Sequence, residues 1–116
     1  MLGVVSSGLG DSAFWILTAL ATGRQHGYAI VRAASEASHG SVQLKATTLY
    51  SVLERLEAEG LIEQDGEEVV DGRTRRHFRL TEQGARRLQA ETDVLQAKVA
   101  AARAGLTRFR PAKGLA

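Results

Sequence analysis

The segment KATTLYSVLERLEAEGLI, from Lys45 to Ile62, constrains the fold more strongly than any other part of the chain. Its apolar residues recur at intervals of three and four, which predicts a helix with one buried face made by Leu49, Val52, Leu53 and Leu56. Gly60 follows the last turn, where a left-handed residue is favourable. The opposite face is short, polar and mostly uncharged. This pattern is typical both of an ordinary surface helix and of a helix that reads DNA. The neighbouring elements are needed to distinguish the two.

Two further helices are predicted before this segment. The body of the first, AFWILTALA, is capped by Asp11 or Ser12 and stopped by Gly23. It is apolar nearly all round, which indicates the central buried helix of the domain. The second, GYAIVRAASEASHG, has an apolar side made by Tyr28, Ile30, Val31 and Ala34. A connector with room for a short strand at 42–44 then leads to the third helix, and this succession indicates a helix-turn-helix core.

The hydrophobic period changes to two after Gly60, most clearly at Phe78 and Leu80. The Asp71–Gly72 pair between two candidate strands predicts a β-hairpin, with a loop expected to be longer than two residues. A hairpin directly after a helix of this kind is the wing of a winged helix. The predicted fold class is therefore mainly α with a small β-hairpin, a winged helix-turn-helix domain followed by a C-terminal dimerisation helix.

The last predicted helix begins after Thr81 as its cap and ends at Gly105. Its seam steps by three and four through three heptads, at Ala85, Leu88, Thr92, Leu95, Val99, Ala102 and Leu106. A small winged-helix core cannot bury so long a seam, so we expect a homodimer in which two such helices meet. The interface residues would be Leu88, Thr92, Leu95, Val99 and Ala102, with a contribution from the first helix. The alternative is that this helix folds back onto its own core.

Length and composition agree with a single small domain. We assign residues 1–10 to a flexible arm, 11–80 to the DNA-binding domain, 81–106 to the dimerisation helix and 107–116 to a basic tail that is predicted to be disordered. The net charge of +2 is only mildly basic, so the distribution of charge must carry any argument for nucleic acid. Cysteine is absent, which excludes disulfides and thiolate metal sites. The N-terminus does not resemble a signal peptide and no apolar run could span a membrane, so a cytoplasmic location is expected.

The second strand of the predicted hairpin, RTRRHFRL, carries four arginines in seven residues. We expect Arg73 and Arg75 to face DNA phosphates or a narrow minor groove, because a guanidinium stays charged and donates in pairs. Arg76 and Arg79 are expected to be structural or paired. The first strand is acidic, so cross-strand ion pairs that neutralise part of this row are the alternative; its acidic residues are Glu63, Asp65, Glu67 and Glu68.

The third helix supplies the other candidate DNA contacts, which combine two basic side chains with four hydroxyl-bearing ones: Lys45, Thr47, Thr48, Tyr50, Ser51 and Arg55. The basic groups suit phosphates, and the hydroxyls suit phosphates or base edges. Arg24 and His77 are expected to be surface residues, with a contact to the DNA backbone as the alternative for Arg24. His26 is expected to bond across its turn. The histidines lack metal-ligand spacing, so no metal or cofactor is expected. No arrangement of residues supports an enzyme.

The chain contains three sequence blocks in succession: HGYAI, TLYSVLERLEAEGLI and GRTRRHFRLTEQGARRL. Over about residues 13–90 the chain resembles the PadR family of bacterial transcriptional regulators, and its single C-terminal helix looks like the smaller subfamily. The resemblance implies a winged helix with a C-terminal helix that forms the homodimer. It also implies repression through a palindromic double-stranded DNA operator, with release often caused by a small aromatic or drug-like effector.

The resemblance places Tyr50 at the family's recognition-helix tyrosine and Thr48 two residues before it. Gly72 and Arg73 match the pair at the wing tip. The chain departs from the family at Lys45–Ala46, where Ser or Pro is frequent, and at Ser51, where Pro is frequent. These departures bear on which bases are read.

Some members of the family bind their effector in a cavity at the dimer interface, lined by the first and last helices. Trp15 and Leu95 are the candidate ligand-contacting residues here, and ordinary packing of Trp15 is the alternative. Two other functions remain open for the chain as a whole. One is a winged-helix module that contacts protein, and the other is a small-molecule sensor without a DNA target of its own.

Overall fold

The computed structural model describes residues 8–112. Its elements are α1 (Asp11–Leu20), β1 (Gln25–His26), α2 (Gly27–Ala37), α3 (Ala46–Ala58), β2 (Ile62–Val70), β3 (Arg73–Leu80) and α4 (Glu82–Arg108). The strands form one antiparallel sheet in the order β1-β3-β2. Three helices, a β-hairpin and a long C-terminal helix confirm the predicted winged-helix class. Within the described range, none of the helices combines the length and the apolar character that crossing a bilayer requires.

The core lies around α1, as its sequence predicts. Ile16 and Leu17 are fully buried, and the core continues through Ile30 of α2 and Phe78 of β3. The α3 segment contributes the apolar face that its spacing predicts, with Leu49, Leu53 and Leu56 buried and Val52 packed against them. The side of α3 that faces away from the core is therefore fixed by the same packing.

The start of α1 differs from the prediction. Gly10 is the N-cap, and neither Asp11 nor Ser12 has that place. Asp11 lies in the first turn instead, where a carboxylate interacts favourably with the helix dipole. Leu9 is buried in the core at 4% exposure, so its predicted place in a flexible arm is wrong. Residues 1–7 of that arm and 113–116 of the predicted tail lie outside the described range.

A short strand occurs before α2 and not before α3. Residues 42–44 are without regular structure, whereas Gln25 and His26 pair with Phe78 and His77 of β3. Gln25 belongs to the fold for a second reason, because its Nε2 donates to the carbonyl oxygen of Ala19 at 2.6 Å. That bond satisfies a carbonyl at the C-terminal end of α1, which has no partner within the helix. A two-residue strand is too short to show a period in the sequence.

The wing hairpin closes through a loop of two residues, so the prediction of a longer loop is wrong. Asp71 and Gly72 both have positive φ, 52° and 75°, the conformation of the type I′ turn that matches the twist of a hairpin. Farther from the turn, the register shifts between Gln64 and Glu67, where Gly66 has φ of 90°. Two residues of β2 thereby stand against one residue of β3, which is a β-bulge.

Helix α4 is anchored to the α3–β2 corner by its first turn. Thr81 is the predicted cap, since its hydroxyl accepts from the backbone N of Gly84 at 3.0 Å and donates to the carbonyl of Gly60 at 2.7 Å. A Cβ on Gly84 would lie 2.0 Å from the carbonyl oxygen of Leu61. Only glycine permits this approach, and it sets the point from which α4 leaves the domain.

The remainder of α4 projects away from the core and gives the molecule extents of 67 × 35 × 22 Å. Leu88 packs against the core, but every residue from Asp93 to Arg108 is exposed. The helix continues three residues past Gly105, so the predicted end is wrong. A lone glycine costs a helix about 1 kcal/mol relative to alanine, which does not terminate it.

Candidate nucleic-acid interface

The polar face of α3 is exposed over its whole length. All six candidate contacts on this helix are exposed: Lys45, Thr47, Thr48, Tyr50, Ser51 and Arg55. Arg55 is also tied to the domain, because one of its guanidinium nitrogens donates to the carbonyl oxygen of Leu9 at 3.4 Å. A helix that buries three leucines and exposes a row of hydroxyls and cations has the shape that a DNA groove accepts.

A cleft of about 440 Å³ lies between the wing, the start of α2 and Tyr50; we call it the wing cleft. Three arginines of β3 line it, Arg73, Arg75 and Arg76, together with Tyr28 and Tyr50. None of the residues that line it is acidic. Guanidinium and phenol groups around an open cleft can donate several hydrogen bonds to an anion such as a phosphate.

The arginines of β3 fall into two groups. Arg79 forms an ion pair with Glu63, as expected, and the hydrogen bond to that carboxylate raises the pKa of its guanidinium. Across residues 8–112, Arg73, Arg75 and Arg76 have no carboxylate within 4.0 Å. Arg76 lies 5.9 Å above the ring of Phe78, in cation–π contact. The acidic strand therefore neutralises the base of the wing and leaves the three arginines of the wing cleft unpaired.

Tyr28 is a cleft residue that the sequence reading placed in the core. It is 63% exposed, because it lies two residues before Ile30 and hence about 200° around the helix from that buried side chain. Tyr50 is 50% exposed and lies against the start of α2. A Cβ on Gly27 would stand 2.8 Å from the Tyr50 hydroxyl, so the glycine makes room for the tyrosine. The Gly27–Tyr28 pair at the start of α2 is the sequence feature that could have indicated this cleft.

His77 is buried at 6% exposure, so the prediction of a surface histidine is wrong. Strand β1 covers it, and that strand was absent from the sequence interpretation. Arg24, also expected to be solvated, donates to Nδ1 of His77 at 3.2 Å, and the opposite ring nitrogen, Nε2, lies 3.1 Å from a carboxylate oxygen of Glu68. A neutral ring that accepts at Nδ1 and donates at Nε2 satisfies both contacts.

His26 caps α2, as the expected bond across its turn implies. Its Nδ1 accepts from the backbone N of Ala29 at 3.3 Å. Burial lowers the pKa of His26, the charge of Arg75 and electrostatic coupling to the His77 ring lower it further, and Glu68 acts in the opposite direction. The neutral ring is the form that can accept the cap hydrogen bond, so the environment and the cap favour the same state.

The helices that border this interface lack the acidic first-turn residues that α1 and α4 have. Asp11 and Glu82 lie in the first turns of α1 and α4, where negative charge is favourable. The first turns of α2 and α3 hold no acidic residue, and Lys45 is the N-cap of α3. The two helices that border the interface thus keep their positive ends uncompensated, which suits an anionic partner.

The predicted dimer and ligand residues lie on α1 and α4. Leu88 and Thr92 are partly buried in the single chain, whereas Leu95, Val99 and Ala102 are exposed. Trp15 is partly buried and packs edge-on against Phe14, with ring centroids 5.3 Å apart. Among the described residues, no group of three or more His, Asp or Glu side chains could hold a metal ion.

Comparison with known proteins identifies the chain. Residues 16–90 match the model of the transcriptional regulator PadR-like family. A PadR family transcriptional regulator from Eggerthella lenta is 27% identical, with 82% of each chain covered and a TM-score of 0.60. Bacillus subtilis PadR, solved in complex with operator DNA, is 20% identical with a TM-score of 0.62, over 93% of this chain and 53% of that chain.

A curated relative, uncharacterized protein X from Lysinibacillus sphaericus, is 38% identical over 60 residues. This match covers 52% of the present chain, and the chain spans 55% of the length of that relative. The matched residues include most of α1, all of α2 and α3, the hairpin and the start of α4. The chain therefore belongs to the PadR-like family of transcriptional regulators, which are DNA-binding proteins and not enzymes.

Proposed function

We propose that the protein is a sequence-specific repressor that binds a palindromic DNA operator as a homodimer in the cytoplasm. The observation that carries this proposal is the unpaired row of Arg73, Arg75 and Arg76 in the wing cleft, beside the exposed polar face of α3. The protein-contact alternative required the acidic β2 to neutralise the wing. Among the described arginines of β3, only Arg79 at the base of the wing has a carboxylate partner, which favours the DNA proposal.

In this proposal α3 enters the major groove and the wing holds the sugar–phosphate backbone or the minor groove. Thr47, Thr48 and Ser51 present hydroxyls to base edges or phosphates, and Lys45 and Arg55 serve phosphates. Arg73 and Arg75 supply charge that is independent of sequence. Two α3 helices that read half-sites on one face of the duplex would stand one DNA turn apart, ~34 Å.

The dimer is proposed on the exposed apolar stripe of α4. Leu95 and Val99 are 38% and 49% exposed in the single chain, and Leu106 is 72% exposed. Burying such side chains against a second copy yields about 25 cal/mol for each Å² of apolar area removed from water. We expect Leu95→Asp to convert the dimer to a monomer in sedimentation equilibrium, while Gln96→Asp, on the same helix, leaves the dimer intact. A wild-type monomer at micromolar concentration would contradict the dimer.

An effector that releases the operator is proposed to bind between α1 and α4 of the dimer, near Trp15 and Leu95. A small aromatic compound could stack on the indole ring, whose faces suit such partners. Tryptophan fluorescence tests this, because the chain has one tryptophan. A compound that releases operator DNA is expected to change the fluorescence of Trp15; release without any such change would contradict this placement.

Fluorescence anisotropy with the promoter region upstream of the protein's own gene tests the function, with an unrelated duplex of equal length as control. Specific regulators bind their sites ~10³-fold or more above non-specific DNA. Nanomolar binding that exceeds the control by this factor is expected. Equal, weak binding to both duplexes would count against a specific operator in that region, and absence of binding to both would favour the protein-contact alternative.

A further inference from the structure

Two carboxylates of β2 lie opposite arginines of β3 in the hairpin register, but only one of them pairs with its arginine. Glu63 is opposite Arg79, and the two form an ion pair. Glu68 is opposite Arg75, a placement from which two long side chains readily meet. Its carboxylate instead lies 3.1 Å from Nε2 of His77 and is not within 4.0 Å of the Arg75 guanidinium. The difference between the two pairs requires a cause other than register.

His77 supplies that cause, because it is a fixed donor on the same face of β3 as Arg75. The ring is buried at 6% exposure, and Arg24 donates to its Nδ1 at 3.2 Å. An acceptor at Nδ1 places the proton of a neutral imidazole on Nε2, which points to Glu68. A rigid donor binds a carboxylate at a smaller loss of side-chain entropy than a flexible arginine does.

Arg75 is left with donors for another partner. One of its guanidinium nitrogens lies 3.5 Å from Nε2 of His26. Because Nδ1 of His26 accepts the cap hydrogen bond from Ala29, the proton of the neutral ring lies on Nε2, and this contact to Arg75 is not a hydrogen bond. Arg75 lines the wing cleft with these donors unused.

We propose that His77 is a positioning residue that holds the Glu68 carboxylate away from Arg75 and thereby keeps Arg75 available to a DNA phosphate. This inference rests on the proposed function, since it assumes that Arg75 contacts DNA. In the absence of His77, Glu68 pairs with its cross-strand neighbour and the wing loses one free cation per protomer. His77 itself touches no DNA in this account.

Operator titrations of His77→Leu and of the double variant His77→Leu/Glu68→Gln test the proposal. The single variant is expected to bind about tenfold more weakly, with the slope of log K against log salt reduced by about one per lost phosphate contact. The double variant should bind within about twofold of the wild type, because no carboxylate remains to capture Arg75. If the double variant stays as weak as His77→Leu, His77 acts only through the stability of the wing and the proposal is overturned.

Conservative and matched variants complete the series. His77→Gln can accept from Arg24 and donate to Glu68, so it should retain wild-type affinity. Glu68→Gln in the otherwise native chain should change affinity no more than Glu67→Gln, which removes the same charge from the neighbouring position. A selective gain in Glu68→Gln would mean that Glu68 already neutralises Arg75, against the proposal. His77→Phe keeps the ring volume and replaces His77→Leu if thermal unfolding shows that the latter does not fold.

A measurement without DNA separates this inference from the proposed function. In a double-mutant cycle, the changes in Tm caused by Glu68→Gln and Arg75→Ala should add in the native chain. In the His77→Leu background they should depart from additivity by about 2 °C, which corresponds to an exposed ion pair. No coupling in His77→Leu overturns the inference. Coupling together with unchanged operator affinity in Arg75→Ala supports the positioning of Glu68 and overturns the DNA contact of Arg75 instead.

Discussion

The base and the middle of the wing hairpin carry the same residue type in different states. At the base, Arg79 is paired with Glu63, next to the buried Phe78. In the middle, Arg75 and Arg76 line the wing cleft without a carboxylate partner among the described residues. A count of arginines in RTRRHFRL does not separate these groups. Availability for DNA depends on what each cross-strand carboxylate binds, so one strand can hold both structural and functional cations.

The helices also divide into two groups, according to the charge at their N-termini. Asp11 and Glu82 compensate the positive ends of α1 and α4, which pack or project as structural elements. Helices α2 and α3 have no acidic residue in their first turns, and the N-cap of α3 is the basic Lys45. Each such favourable charge is worth about 0.3–1 kcal/mol, a modest loss that a bound phosphate restores. The interface is thus the region in which local electrostatics are unfavourable without a ligand.

Truncation at the base of the wing should give the largest effect. Phe78 is 2% exposed, so Phe78→Ala is expected to cost about 3–5 kcal/mol of unfolding free energy through lost burial and an internal cavity. Val69, on the exposed part of the same hairpin at 71%, is the control, and Val69→Ala should change stability by less than about 0.5 kcal/mol. Urea denaturation measures both. Equal effects would contradict the distinction between a structural base and an exposed outer part of the wing.

Changes on α3 should alter sequence preference, whereas changes in the wing should not. Thr47→Ala or Ser51→Ala removes a hydroxyl that can reach a base edge, and each base contact discriminates by about 1–3 kcal/mol. Selection of binding sites from a random duplex library is the measurement. We expect altered base preference for the α3 variants and an unchanged preferred sequence for Arg73→Ala. A shifted consensus in the wing variant alone would reverse the roles of the two elements.

The pH dependence of stability at the α2 cap should be the smallest effect. The folded-state pKa of His26 is lowered from 6.5, so the unfolded chain binds the proton more readily. Stability from this residue is therefore present above pH 6.5 and is lost as pH falls through that value towards the folded-state pKa. His26→Asn retains a good cap without titrating, and thermal unfolding of this variant should decline less between pH 7 and 5. An identical decline in both proteins would contradict the lowered pKa.

Long periodic elements and turn residues could be predicted from the sequence. The buried leucines of α3, the central place of α1 and the Thr81 cap follow from spacing and local hydrogen-bonding capacity. Features that depend on pairing between distant segments of the chain could not be predicted. Strand β1 is two residues long and exists because Gln25 and His26 pair with β3.

The missed parts of the candidate site depend on that strand and on helix geometry. His77 is buried because β1 covers it, so its bonds to Arg24 and Glu68 could not be inferred from alternation along β3. The apolar pattern of α2 includes Tyr28, although its angle to Ile30 places it on the exposed side. The exposed polar positions on α3 and the pairing of Arg79 could be predicted from the sequence. The contact of Glu68 with His77, and the absence of a carboxylate beside Arg76 among the described residues, could not.

The most direct test of the DNA-binding wing is the salt dependence of operator affinity for Arg75→Ala beside Arg79→Ala. Both variants remove one guanidinium from the same strand, so the change in net charge is matched. The account predicts about tenfold weaker binding and a salt slope smaller by about one per lost contact for Arg75→Ala, with Arg79→Ala within about twofold of the wild type. Equal losses in the two variants, or an unchanged slope for Arg75→Ala, would contradict the division of the wing into a paired base and a DNA-contacting middle.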